Sequence, residues 1–558
     1  MAACRKTATN PSQNCCLRPG ARLLRAPWTL DIRGSAIPPA PPPPAVGKPP
    51  FWSQWPAVES TVRHVSRLRR AAGSEGHVAV RIGLAGAFLL AVVAFTAVVG
   101  GGHGGAAAVI VAAGVIGGYM ALNIGANDVA NNMGPAVGAR AVTMVGALVI
   151  AAIFETAGAT LAGGDVVATI AKGIVDPEPM ADAGVFVTAM MAALLAAALW
   201  LNLATYIGAP VSTTHAIVGG VMGAGIAASG MAAVNWPTMG AIALSWVISP
   251  AMGGAVAALF LSFIRHTIIF KEDRIAAARR WVPLLVGVMA ATFGAYVLLK
   301  GLSQVWKPSA VTVAGISLAV FVIAWLVTRP LIARQSAGLE NRKKAVHGLF
   351  SAPLICAAAL LSFAHGANDV ANAVGPLAAI VDALSSGGIA AQVKVPYWVL
   401  VIGAIGISIG LVLFGPRLIR TVGEKITKLN PIRAFCVALS AAITVLIASA
   451  LGLPVSSTHI AVGGVFGVGF LREVLHNRRR MRWAEEKAAT ASASAATEKA
   501  PDKDAAAAGK KKKKKKLKLV RRKHLGTIVA AWVVTVPLAA ALAALLFVLL
   551  AWGRAVLF

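Results

Sequence analysis

"GANDVANNMGPAVG", residues 125–138, returns 241 positions later as "GANDVANAVGPLAA", residues 366–379. Each copy sets an Asn-Asp pair in otherwise apolar sequence, where a carboxylate is costly. At the centre of a membrane helix the cost is ~2.5–3.5 kcal/mol on insertion scales, so Asp128 and Asp369 need a partner or a wet cavity. Composition says that the surroundings are a membrane. Of 558 residues, 57% are hydrophobic and 13% charged, with a mean hydropathy of +0.74. A soluble chain of this length could not keep so much apolar surface in water.

The repeat is not confined to one motif. "PVSTTHAIVGGVMGAG" from Pro210 matches "PVSSTHIAVGGVFGVG" from Pro454 at an offset of 244, and, more weakly, "GATLAGGDVVATIAKGI" (158–174) matches "GLVLFGPRLIRTVGEKI" (410–426) at 252. Three pairs in one order mean an internal duplication.

A helix needs about 20 residues to cross a ~30 Å hydrocarbon core. Apolar runs of that length lie near 78–100, 105–124, 141–162, 183–206, 238–264, 281–299, 309–328, 346–364, 396–415, 432–451 and 527–553. The shorter, Gly- and Pro-interrupted stretches 125–138, 210–229, 366–382 and 454–471 read as half-helices or re-entrant hairpins. The expected fold is an all-α polytopic membrane protein with about 10–12 transmembrane helices, built from two homologous repeats with broken helices and inverted relative to each other. Its parts are a Pro-rich, basic N-terminal tail (1–77), repeat 1 (78–235), intervening helices and loops (236–345), repeat 2 (346–471), a basic loop (472–526) and a last helix (527–558).

The net charge of +31 does not point to nucleic acid. Residues 472–526 hold 19 Lys+Arg against 6 Asp+Glu, including Lys510–Lys516, with no aromatic residues among those lysines to stack on bases. A disordered cytoplasmic loop touching anionic lipid is expected there. The basic loops 265–280 and 329–347, two spans apart, also fit the cytoplasm. The tail has "PPAPPPPAVGKPP" at 38–50 and no segment resembling a cleavable signal, and is expected to be disordered and cytoplasmic. Of five cysteines, Cys4, Cys15 and Cys16 lie in the tail and Cys356 and Cys436 in apolar runs, without metal-ligand spacing or a disulfide framework.

The chemistry sits in the doubled motifs. Asn127, Asp128 and Asn131, with Asn368, Asp369 and Asn372, gather carboxylate and amide oxygens, which suit a small hard cation such as Na⁺, held at Asp128 and Asp369, or a proton carrier. The alternative, helix capping by Asn and Asp, explains one copy better than two. Ser212, Thr213, Thr214, Ser456, Ser457 and Thr458 follow prolines able to start helices, and such N-termini favour anions; ordinary Ser/Thr capping is the competing account. His215 and His459 are expected to orient helices. His365 precedes only the second copy, where the first has Ile124, and is treated as non-essential. Two aspartates and a divalent oxyanion total about −4, against about +2 from four helix N-termini, so bound cations must supply the difference. Phosphate, whose hydroxyl can donate a hydrogen bond to a carboxylate, is favoured over sulfate, which has no proton near neutral pH.

These motifs, with "AIFETAGATLAGG" (152–164) and "TVGEKI" (421–426), resemble the inorganic phosphate transporters of the PiT class over roughly residues 80–555. The resemblance implies a multi-pass inner (plasma) membrane symporter of phosphate with Na⁺ or H⁺, often dimeric, with no cofactor beyond the coupling ion. It implies cation binding at Asn127, Asp128, Asn368 and Asp369 and phosphate binding at 212–214 and 456–458. Glu155 matches a functional acidic position that animal members have in both halves. Here Ile407 stands at the second, which leaves Glu155 as a structural acid or a proton site. A sulfate or other oxyanion permease is the same-fold alternative. An intramembrane hydrolase using His215 or His459 with a serine is disfavoured because no acid orients either histidine.

Overall fold

The computed structural model describes residues 74–100, 106–176, 178–180, 182–209, 211–302, 306–386, 395–420, 429–495 and 522–557. Among these, twelve helices are long and apolar enough to cross a membrane. In chain order the helices are α1 (Val78–Gly100), α2 (Ala107–Gly138), α3 (Met144–Ala162), α4 (Gly164–Ala168), α5 (Ala183–Ile207), α6 (Thr213–Ser229), α7 (Trp236–Ile264) and α8 (Arg274–Tyr296). They continue with α9 (Ala310–Gln335), α10 (Lys343–Leu349), α11 (Ser351–Asp369), α12 (Ala371–Ser386), α13 (Tyr397–Arg420), α14 (Pro431–Ala450), α15 (Ser457–Ala495) and α16 (Arg522–Leu557).

Starts follow cap chemistry, with a short polar side chain accepting an otherwise unpaired backbone N–H. Thr143 accepts from Gly146 at 3.1 Å, Asp182 from Val185 at 2.8 Å, Asn235 from Thr238 at 3.1 Å and Asn430 from Arg433 at 3.0 Å. Large apolar side chains such as Val98, Val311 and Ile323 lie outward and exposed, as a hydrocarbon solvent permits.

Three expectations change. The first GANDVAN copy is not a separate half-helix: residues 107–138 form one continuous helix, with Pro135 in its last turn. Nor does the second copy form a separate half-helix: α11 passes into α12 through Val370, whose backbone is itself helical, and Ser351–Ser386 make one span. Residues 457–471 open the long helix α15, not a hairpin, and 472–495 continue it; the Ala-, Glu- and Arg-rich sequence there is strongly helix-forming. Residues 1–73, the 421–426 motif and Lys510–Lys516 lie outside the described residues. The two basic loops do share one end of the bundle, because Asn341 accepts from the Arg274 N–H at 3.0 Å and donates to the Glu272 carbonyl at 2.6 Å.

The repeats interlock by exchange. Helix α2 packs on α13 of the other repeat and α11 packs on α3. At these crossings a Cβ on Gly125 would strike the Ile407 carbonyl and one on Gly366 the Glu155 carbonyl. Gly158 and Gly410 meet the carbonyls of Phe363 and Leu122 in the same way. All four contacts obey the offsets of 241 and 252, so the weak match of 158–174 to 410–426 is in register. Thr156 and Ser408, themselves equivalents, touch at 2.7 Å, and the equivalent rings of His215 and His459 meet at 4.3 Å between centroids. Contacts exchanged reciprocally in this way relate the repeats by a local twofold, with the touching equivalents near its axis. The duplication also reaches further than the motifs. Gly219 and Gly223 of α6 pack on the α16 backbone, and Gly463 and Gly467 of α15 pack on α7, so α7 and α16 play matching parts.

Backbone has no rotamer by which to yield, so Gly366→Val is expected to cost at least the ~1–3 kcal/mol of core overpacking. Gly240→Val, where a Cβ meets nothing within 4 Å, is the control. Monodisperse yield and melting temperature in detergent should fall for the first substitution and hold for the second.

Candidate functional site

Asn127, Asp128, Asn131, Asn368, Asp369 and Asn372 are all buried where α2, α11 and α12 meet the starts of α6 and α15. All six serine and threonine candidates are buried beside them. The structure therefore gathers the whole candidate set from both repeats into one region.

The three hydroxyls of each run have different tasks. Ser212 and Ser456 are caps, accepting from the backbone N–H of His215 at 3.1 Å and of His459 at 3.3 Å. Each still keeps an O–H to donate. At the second position Ser457 donates to Asp369 Oδ2 at 2.9 Å, whereas Thr213 accepts from Asn372 at 3.2 Å. The third position crosses between repeats. Asn131 donates to Thr458 at 2.7 Å and Asn372 to Thr214 at 3.3 Å, while Thr214 and Thr458 donate to the carbonyls of Val455 and Val211 at 3.0 and 3.4 Å. Thr458 also lies 3.3 Å from Asp128 Oδ1. The first asparagines match as well: the Asn127 amide faces Thr205 at 3.2 Å, and that of Asn368 faces Ser449 at 3.0 Å.

One part of the site breaks the twofold. His365 is fully buried, with Nε2 at 2.8 Å from Asp369 Oδ2 and 3.7 Å from Asp128 Oδ2, and Nδ1 at 3.2 Å from Glu155 Oε2. Asn132 donates to Glu155 Oε1 at 2.8 Å. The equivalents of Asn132, Glu155 and His365 are Ala373, Ile407 and Ile124, so one side of the axis carries a polar trio where the other is apolar. Sequence reasoning set His365 aside and passed over Asn132. The signal was available: each is polar in one repeat and apolar in the other, as Glu155 is.

A hard cation fits the donor set. The side-chain oxygens of Asn127 and Asn372 are buried without a hydrogen-bond donor, and Asp128 Oδ2 faces His365 at 3.7 Å without a hydrogen bond. Buried acceptors without donors are expensive unless a cation or proton meets them, and oxygen ligands are what alkali and alkaline-earth ions take. His215 stacks on Trp246 at 3.8 Å and on His459, with Trp246 donating to the Pro454 carbonyl at 3.1 Å, which locks the two helix starts together as orienting groups would.

A buried oxygen-rich site shared by interlocked repeats of a polytopic bundle defines a membrane transporter. Residues 124–543 match the profile of the phosphate transporter family, and the chain belongs to that family. It is 50% identical over 427 residues to a protein of Helicobacter pylori (strain J99) provisionally named a phosphate permease, covering 76% of this chain and 80% of the relative. A Pyrococcus abyssi protein with the same description is 42% identical over 360 residues, 64% of this chain and 88% of that one. Among solved structures the fold matches a sodium-dependent phosphate transporter with TM-score 0.69 and 35% identity, over 80% of this chain and 99% of the other. Family and fold make this chain a transporter and not an enzyme.

The Asn132–Glu155 bond is buried, so Asn132→Ala, which leaves Glu155 Oε1 without its donor, should destabilise the purified protein by about 1–3 kcal/mol. In a Glu155→Ile background the same change should cost far less. Denaturant titration of the four proteins measures the cycle, and equal costs in both backgrounds would show that the pair is not coupled.

Proposed function

We propose that the chain carries inorganic phosphate across the plasma membrane in symport with Na⁺, at a site formed jointly by the two repeats. The observation that carries this reading is the cross-repeat network. Asp128 and Asp369 sit among hydroxyl and amide groups able to hold phosphate, and the Asn127 and Asn372 side-chain oxygens have no donor. Ser212, Thr213, Thr214, Ser456, Ser457 and Thr458 hold the phosphate, with the N-termini of α6 and α15 adding favourable dipoles. Asn127, Asp128, Asn131, Asn368, Asp369 and Asn372 supply oxygens to the coupling ions.

Coupling follows from charge. Phosphate brings one to two negative charges beside two buried aspartates, and no lysine or arginine pairs with either aspartate among the described residues. Anion and cation therefore enter together, because either alone leaves uncompensated charge in a low-dielectric interior. Residues 78–235 and 346–471 act as inverted halves that rock about the shared site, and the protein works as a dimer. The family lends no support to a sulfate reading.

In proteoliposomes an inward Na⁺ gradient should drive accumulation of radiolabelled phosphate that excess sulfate does not block. Accumulation driven by a proton gradient alone would refute Na⁺ as the coupling ion while leaving symport standing; accumulation with neither would end the coupling argument. Asp128→Asn and Asp369→Asn should each lower initial uptake by about tenfold or more, since each removes a charge that the coupling ion must meet. Thr214→Val and Thr458→Val should chiefly weaken the apparent affinity for phosphate.

A further inference from the structure

Away from the transport site, at the end of the bundle where the basic loops meet, a cavity of about 250 Å³ gathers positive charge. Arg265, Lys343, Arg433, Arg472 and Arg479 line it, drawn from the end of α7, from α10, α14 and α15. Arg265, Arg433 and Arg472 are partly buried, and their charges repel one another. Both Arg265 and Arg479 lie over the Phe270 ring, at 5.1 and 4.6 Å from its centroid, which fixes two guanidiniums at the rim.

Among the described residues no carboxylate lines this cavity. Of the acids nearby, Asp273 caps α8 and Glu340 pairs with Arg342 at 2.6 Å, while Glu272 and Glu473 are not among the lining residues. The field reaches His347, whose pKa is held below its ordinary value by burial first and by the Arg433 charge second. Its Nε2 lies 3.1 Å from the Asn430 amide, as an acceptor would. Crowding five cations without counter-charge is unfavourable unless an anion of more than one charge completes the site.

A second cavity says which kind of anion. An apolar groove of about 600 Å³ runs between the same two helices, α7 and α15, lined by Val247, Ala251, Ala255, Ala258, Phe466 and Phe470. Its lining ends at Ala258 and Leu471–Val474, while that of the basic cavity begins at Leu261 and Arg472. Along α7 the two linings follow one stripe of the helix, from Ala251, Ala255 and Ala258 to Leu261 and Arg265, which brings the groove within one turn of the charged cavity.

We infer that α7 and α15 form a binding site for an anionic phospholipid, with its phosphate headgroup among Arg265, Arg433 and Arg472 and an acyl chain in the groove. Basic pockets between membrane helices on the cytoplasmic side suit such headgroups, and the apolar groove gives a reason why a lipid is preferred to a free anion. The headgroup neutralises the arginines and ties the ends of four helices together. The site is separate from the phosphate path and does not depend on the transport reading.

Full-length protein, delipidated in detergent, is to be titrated with cardiolipin, phosphatidylglycerol or phosphatidylcholine, and separately with tripolyphosphate. Melting temperature and native mass spectrometry are the readouts. Cardiolipin and phosphatidylglycerol should raise the melting temperature and remain bound, whereas phosphatidylcholine should do neither. Arg433→Gln with Arg472→Gln should weaken binding by about tenfold or more, because the headgroup then lacks charge-assisted hydrogen bonds from two guanidiniums. The exposed Arg479→Gln should weaken it less and serves if the double variant does not fold. Ala255→Trp, which fills the groove, should weaken lipid binding while leaving the mass of the assembly unchanged. The inference is overturned if tripolyphosphate stabilises as well as the lipids do, if the arginine variants bind lipid like the parent, or if Ala255→Trp alters only self-association.

Discussion

The close approach of α2 to α13 and of α11 to α3 governs the rest of the molecule. At each crossing a glycine puts one helix directly on a carbonyl of the other repeat, at Gly125 on Ile407 and Gly366 on Glu155. Contact that tight buries the next turn completely, and the next turn carries Asp128 in one case and Asp369 in the other. Without bulk water, each carboxylate has to be met by protein groups or by ions that the protein admits. The exchanged glycine contacts and the charged site are therefore one constraint seen at two levels.

Much of this was legible in the chain. A soluble fold was excluded by composition, and the doubled motifs named the aspartates, asparagines and hydroxyls that now lie together between the repeats. The offsets of 241 and 252 do not say which helices touch, but once Gly125 is seen on Ile407 they name Gly366 on Glu155 as its counterpart. Element boundaries were less legible. Residues 125–138 read as a separate segment because glycine and proline punctuate them, yet Gly125 serves close packing and Pro135 lies in the last turn, so little helix follows the bond that it removes. The matched roles of α7 and α16 were hidden because helix-on-glycine packing asks only for small residues on one partner and leaves the other's sequence free. Hydropathy alone cannot mark such a pair.

His365 was missed for a different reason. The comparison of repeats singles out what is shared, so a residue present in one copy is discounted by construction. Physical cost gives the opposite weighting: a histidine and a glutamate fully buried in a membrane bundle are expensive wherever they occur, and an expensive pair that interacts demands an explanation more than a matched glycine does. Asn132 completes the argument, because it spends a buried amide on Glu155 in a position where the other repeat is satisfied with Ala373.

That trio makes the two aspartates unequal despite their matched surroundings. Both have a hydroxyl partner, Thr458 at 3.3 Å from Asp128 and Ser457 at 2.9 Å from Asp369. His365 lies 2.8 Å from Asp369 but 3.7 Å from Asp128, and its other nitrogen is turned to Glu155. On the opposite side of the axis Ile124 and Ile407 offer neither charge nor hydrogen bond. An imidazole in contact with Asp369 takes coordination space there, and nitrogen is a poor ligand for a hard cation. Asp128, which His365 approaches less closely, keeps more of its oxygen surface for an ion. A duplicated scaffold has thus been filled asymmetrically, so its two carboxylates face different local chemistry within one shared site.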